Sequence, residues 1–108
     1  MNVQPENPNR LKSTIFYALS DQIRLEIVSY LRAQEKCVCE IVPHLKLVQP
    51  LVSRHLKILR DVGIVRVRKD GTKRMYSIVD PKIHDVVDAV TSELASALTK
   101  EVIEKMTC

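Results

Sequence analysis

The chain is short of glycine, aromatic residues and cysteine, and each shortage excludes a class of function. Gly63 and Gly71 are the only glycines among 108 residues, too few for a glycine-rich loop that cradles a nucleotide phosphate. With no Trp, one Phe and three Tyr, the core has to be assembled from Leu, Ile and Val. No apolar run approaches the roughly 20 residues needed to span a bilayer, and the start of the chain carries no apolar signal segment. The expectation is a cytoplasmic protein with no membrane partner. Three cysteines, an odd number, do not make a disulfide framework, so reduced thiols available to a metal are expected.

What is present fits one small domain. Apolar residues make up 45% and charged residues 28% of the chain, a balance that folds. The net charge of +4 is a weak hint of a polyanionic partner, because many basic proteins bind no nucleic acid. Its distribution says more. Lys and Arg cluster over 54–60 and again over 66–74, while acidic residues concentrate after Asp80.

Hydrophobic spacing sets out the elements. Residues 1–9, with two prolines and three asparagines, read as a flexible arm. Leu11, Ile15, Phe16 and Leu19 follow at helical spacing, and Ser20 or Asp21 then caps a second helix reaching about Ala33. A short third helix covers Val38–Leu45, and Lys46–Val48 form a tight turn. Pro50 is welcome in the first turn of a fourth helix that stops at Gly63. Ile64–Lys69 alternates apolar and basic residues as a half-buried strand does, Asp70-Gly71 turns, and Lys73–Val79 returns. A last helix is expected from Lys82 to Lys105, with an apolar stripe through Val90, Leu94, Leu98 and Val102.

The predicted order is ααααββα, a mainly α fold with a small β-hairpin (α+β), and it matches the winged helix-turn-helix plan. Residues 10–108 form that domain. The terminal helices carry apolar stripes that so short a chain cannot cover, so they are expected to pair in a homodimer.

On the fourth helix, Leu51, Val52, Leu56 and Leu59 suit the core. Gln49, Ser53, Arg54, His55 and Lys57 are then expected near the outer face. Such side chains reach base edges and phosphates, and they sit in the half of the helix that a recognition helix presents to the major groove. Arg66, Arg68, Lys69, Lys73 and Arg74 around the hairpin suit phosphate or minor-groove contact. The competing readings are an ordinary solvated helix face and an edge strand charged against aggregation. The tight turn before the helix and the basic hairpin after it favour double-stranded DNA.

Four ordered blocks carry a further resemblance: ALSDQIRL (18–25), CVCE (37–40), QPLVSRHLKIL (49–59) and DVGIV (61–65). Together they resemble the ArsR/SmtB family of metal-responsive repressors over about residues 10–90. The resemblance implies a homodimer that sits on an operator and leaves it when an inducer binds. Val48 departs from the pattern, standing where the family usually has a capping Ser or Thr.

Within the resemblance, Cys37 and Cys39 fall on the CVC motif that binds soft metals in the arsenic- and cadmium-responsive members. Thiolates select soft ions, and three of them suit As(III) or Sb(III). Positions i and i+2 of an ideal helix point about 200° apart, so this pair is expected to grip one ion only if the helix start unwinds. The arsenic-responsive pattern often continues to a third cysteine where this chain has Val42; Cys108 is the remaining candidate. Cadmium, lead or zinc would want a fourth ligand, for which His44 is near in sequence, and copper or thiol oxidation are further alternatives. Two small buried hydrophobes are the plain alternative for Cys37 and Cys39. The family's other zinc site, on the last helix, is not expected: Asp80 and Glu93 stand at acidic positions, but Lys82 and Ser96 replace the histidines. His84 and Asp88, one turn apart, have no evident partners. A thiol enzyme is disfavoured by CxC in place of CxxC and by the absence of a βαβ unit.

Overall fold

The computed structural model describes residues 7–107. Its elements run α1 (Pro8–Ala18), α2 (Gln22–Tyr30), β1 (Lys36–Cys37), α3 (Val38–Leu45), α4 (Gln49–Val62), β2 (Val65–Asp70), β3 (Lys73–Ile78), α5 (Lys82–Asp88) and α6 (Ser92–Thr107). This is the expected winged helix-turn-helix plan, with three differences.

Capping chemistry sets the helix boundaries. Asn7 accepts from the Asn9 N–H at 2.9 Å, so α1 starts at Pro8 and takes the last two residues from the expected arm. Residues 1–6 of that arm lie outside the described residues. Asp21 starts α2 by accepting from the N–H groups of Ile23 and Arg24 at 2.8 and 3.2 Å. That helix closes at Tyr30, short of Ala33. Lys46 ends α3 in the left-handed conformation at φ 57°, which costs a non-glycine residue about 1 kcal/mol. Val48 opens α4 with no side-chain cap, and Gly63 closes it at φ 91°, where glycine has no steric penalty.

One apolar face seats α4. Val52, Leu56 and Leu59 are fully buried against Ile27, Val28, Leu31, Ile41 and Val65. Each contributes about 1.5–3 kcal/mol by leaving water, enough to fix the rotation of the helix about its axis. Leu51, expected beside them, is only half-buried.

The first difference is β1, which turns the expected hairpin into a three-stranded antiparallel sheet of order β1-β3-β2. Its register lines up Cys37, Met75 and Arg68 across the sheet, with Lys36, Tyr76 and Val67 in the adjacent row. Two residues are too few to show a period-2 pattern, so composition gave no sign of it. The second difference is the hairpin loop, which is Gly71-Thr72, with Asp70 still paired to Lys73. Gly71 has φ 63° in the first loop position, where two-residue hairpins favour glycine. Third, the last helix is broken after Asp88. Thr91 Oγ1 accepts from the Leu94 N–H at 3.1 Å, an N-cap that starts α6 afresh.

Beyond this core, Leu11 and Phe16 on α1 and Leu94, Leu98 and Val102 on α6 remain exposed. No helix among the described residues is long and apolar enough to cross a membrane.

Candidate nucleic-acid interface and thiol site

With α4 seated by its apolar face, Gln49, Ser53, Arg54 and Lys57 come to the surface. Lys57 Nζ lies 2.7 Å from Asp61 Oδ2, one turn on, an exposed pair that contributes little to stability. On the wing, Arg66, Lys69, Lys73 and Arg74 are exposed. Five expected residues, Gln49, Ser53, Lys57, Lys73 and Arg74, line a single cleft of about 690 Å³ between α4 and the wing. Arg60 and Thr72 also line it and were missed as site residues; Arg60 falls one turn beyond Lys57, within the basic cluster.

Two residues expected to contact nucleic acid are engaged elsewhere. His55 is 9% exposed and faces inward, one turn from Val52 and Leu59 on the buried stripe. Its Nδ1 lies 3.0 Å from an Arg24 guanidinium nitrogen. Arginine only donates, so Nδ1 accepts and the ring proton sits on Nε2. Arg24, itself 6% exposed, also donates to the carbonyls of Ala18 at 2.7 Å and Tyr17 at 3.3 Å. Asp21 Oδ1, 3.8 Å from His55 Nδ1, is beyond hydrogen-bond reach of the ring. Burial pushes the Asp21 carboxyl upward, but the N–H groups of Arg24 and Ile23 outweigh it and hold it below its usual value. The network ties the α1–α2 turn to the middle of α4. His55 is therefore a positioning residue, which corrects the outer-face expectation.

Arg68 stays exposed on the wing, but its guanidinium is shared. It makes a bidentate pair with Glu35, just before β1, with Nε donating at 3.0 Å. The Arg68 hydrogen bond outweighs burial and holds the Glu35 carboxyl below its usual value. Solvent screening at this exposed position keeps the pair's contribution to stability small.

Cys37 has extended backbone, φ −73° and ψ 150°, because it is the N-cap of α3. Its N–H donates to Glu40 Oε1 at 3.0 Å, while its Sγ accepts from the Cys39 N–H at 2.9 Å. This is a capping box with sulfur in the place of a hydroxyl. The 200° separation of an ideal helix therefore does not apply. The two sulfurs converge without any unwinding, and the structure joins them as a disulfide. The deformation argument is corrected, and the structure holds the pair in its oxidised form. Cys37 is buried at 4% exposure, whereas Cys39 is exposed, and both line the α4–wing cleft.

In donor chemistry, the pair would fit a thiophilic ion once reduced to two thiolates. Cys108 lies outside the described residues. Among those residues, no group of three or more His, Cys, Asp or Glu gathers as a metal site. His44 instead stacks on Tyr30 at 3.7 Å between ring centroids, with Lys36 Nζ 4.8 Å from the same ring. On the C-terminal helices, Asp80 Oδ1 accepts from the Lys82 N–H at 2.9 Å and Asp88 pairs with Arg32 at 2.9 Å. His84 is buried and neither ring nitrogen has a hydrogen-bond partner among the described residues. Its burial, then the Arg32 charge, pushes its pKa down.

A basic wing beside a polar, exposed recognition helix defines the class: a winged helix-turn-helix, DNA-binding regulator of transcription. More narrowly, the chain belongs to the ArsR family. The family model described as "Bacterial regulatory protein, arsR family" matches residues 21–67, from the α2 cap into the wing. An uncharacterized HTH-type transcriptional regulator of Methanocaldococcus jannaschii is 43% identical over 77 residues, 70% of this chain and 86% of that protein. The arsenical resistance operon repressor of Staphylococcus aureus is 40% identical over 75 residues, 69% of this chain and 72% of that protein. The crystal structure of Rv0081 from M. tuberculosis superposes with a TM-score of 0.73 at 30% identity, covering 90% of this chain and 98% of that one. The protein is a transcriptional repressor of this family.

Proposed function

We propose that this repressor leaves its operator when a thiophilic metalloid, As(III) or Sb(III), is held by Cys37 and Cys39, with Cys108 as the third thiolate. The observation that carries this reading is the convergence of two sulfurs at the start of α3 on the wall of the α4–wing cleft. Soft donors favour soft ions, and a similar repressor is named for arsenical resistance. Gln49, Ser53 and Arg54 enter the major groove, while Lys57, Arg66, Lys69, Lys73 and Arg74 hold the phosphates. A second copy covers the exposed apolar residues of α1 and α6, which makes the working unit a homodimer.

Coupling follows from the register. Cys37 is the last residue of β1 and pairs with Met75, which pairs with Arg68. Once the pair is reduced, drawing Cys37 and Cys39 onto one ion moves β1 and α3 together, and so disturbs the wing and the helix before α4. The disulfide in the structure favours one alternative, release by thiol oxidation.

The test is a titration of the operator-bound protein with As(III), Sb(III), Cd(II), Zn(II), Pb(II) and Cu(I) in excess phosphine reductant, which offers no competing dithiol. Release by As(III) or Sb(III), lost in Cys37→Ser and Cys39→Ser, supports the metalloid. Release seen only when the reductant is replaced by an oxidant supports the alternative. If Cys108→Ser is released at the same As(III) concentration as the parent, the third thiolate is wrong.

A further inference from the structure

We propose that the cleft between α4 and the wing seats one oxyanion, either an operator phosphate or the anionic group of a small thiol joined to Cys39, and that each excludes the other. The inference rests on the reading of α4 and the wing as the DNA-contacting surface. It departs from a purely transmitted effect: charge placed on Cys39 acts on DNA inside the footprint itself.

Three observations carry it. At about 690 Å³ the cleft has the size of a small-molecule site. Lys57 and Arg60 line it from α4, Lys73 and Arg74 line it from the wing, and no Asp or Glu is among the lining residues. Lys57 shares its charge with Asp61, but Lys73 and Arg74 have no ion-pair partner among the described residues. Finally, the sulfur that faces this basic space is accessible. Cys39 is exposed and Cys37 is 4% exposed, so an incoming thiolate reaches Cys39 Sγ.

The chemistry balances without an added oxidant, because the Cys37–Cys39 disulfide is the oxidant. The thiolate sulfur forms a bond to Cys39 Sγ and the Cys37–Cys39 S–S bond breaks. The electron pair of that bond stays on Cys37 Sγ, which leaves as the thiolate. The leaving sulfur sits at the N-terminus of α3 against the Cys39 N–H, a setting that stabilises thiolate. A thiol bearing carboxylate or sulfonate is drawn in by the cations; a cationic thiol is repelled.

The two sources of oxyanion are separated by two experiments on the full chain. For the DNA side, Cys37→Ser/Cys108→Ser leaves Cys39 as the only thiol, and Ser keeps a capping oxygen for α3. Cys39 is converted by methanethiosulfonates to adducts ending in sulfonate, trimethylammonium or methyl, its thiolate displacing methanesulfinate each time. Operator affinity is read by anisotropy, with far-UV dichroism confirming equal helix content. The sulfonate adduct is expected to bind at least about 10-fold more weakly than the methyl adduct, with a salt slope lower by about one phosphate contact. The trimethylammonium adduct is expected within about 3-fold of methyl or tighter. Equal weakening by both charged adducts, no change, or the reverse order overturns the proposal.

For the thiol side, 2-mercaptoethanesulfonate and cysteamine are reacted with the parent disulfide, each rate normalised to a model disulfide. Faster exchange by the sulfonate thiol that fades in high salt, with the adduct mapped to Cys39, is expected; equal normalised rates overturn it. Arg54→Ala, outside the cleft, tests the underlying reading. If that variant keeps full operator affinity, the DNA surface itself is wrong. If it loses affinity while the charged adducts behave alike, only the shared cleft is wrong.

Discussion

His55 and Arg54 are neighbours on α4, and opposite phenotypes are expected of them. His55→Ala leaves an Arg24 guanidinium nitrogen buried without its 3.0 Å acceptor. A lost hydrogen bond to a buried charged group costs about 1.5–3 kcal/mol, and the vacated ring space adds to it. Arg24 keeps its bonds to Ala18 and Tyr17, so the total should stay near 2–4 kcal/mol, read as a lower urea midpoint with an unchanged m-value. Protein concentration must be held fixed, because the stability of the proposed dimer depends on it. Measured in cold buffer where the variant is folded, operator affinity should remain within about 3-fold of the parent. Arg54→Ala should do the reverse, leaving the midpoint within about 0.5 kcal/mol and losing about 1–3 kcal/mol of operator binding. The reasoning fails if His55→Ala keeps its stability and loses DNA affinity as Arg54→Ala does.

Three further outcomes are expected. The depressed pKa of His84 means that its neutral form is the one the fold favours. Below its ordinary value of 6.5, the unfolded chain binds a proton that the native state resists. Stability should thus be full above about pH 7 and fall as pH drops toward 5. His84→Leu should flatten that fall in the urea midpoint, and an unchanged slope would refute it. Val48→Ser supplies the side-chain cap that α4 lacks and should raise stability by about 1 kcal/mol, measured by the same urea series. Leu98→Glu places a charge on an α6 residue that is 60% exposed in the single chain. Sedimentation equilibrium should show a shift from dimer to monomer, and a variant that stays dimeric would remove α6 from the interface.

The sequence disclosed most where local chemistry and periodicity agreed. Helix α4 was legible from end to end because Pro50 and Gly63 bracket one apolar stripe. The stripe also held the clue to His55, which lies three residues after Val52 and four before Leu59. What was invisible was its partner, since Arg24 is 31 positions away in sequence. The CxC geometry was misread because ideal-helix spacing was applied across Cys37, although the expected helix begins only at Val38. Glu40, three residues after Cys37, is the capping-box signal that puts Cys37 at the boundary instead. The break before α6 was likewise written in Thr91, a good N-cap hidden inside a continuous apolar stripe. Strand β1 left no local signature, because its pairing with β3 is entirely a matter of tertiary contact.

That short strand changes how the parts of this repressor are joined. By sequence, the cysteine pair belongs to the helix before the recognition helix, and any signal has to pass along the chain from α3 to α4. In the fold, Cys37 ends a strand that is bonded to β3, and Glu35, two residues earlier, grips Arg68 of β2 from beyond the strand between them. Both arms of the DNA-contacting surface are therefore tied to the same few residues: α4 through α3, and the wing through the sheet. A ligand that moves Cys37 has no way to disturb one arm while sparing the other. The exposed partner, Cys39, opens into the cleft between the two arms, so a change there acts on their shared boundary. On the proposed reading, the input lies beside the output in space, although the chain separates them by ten residues or more.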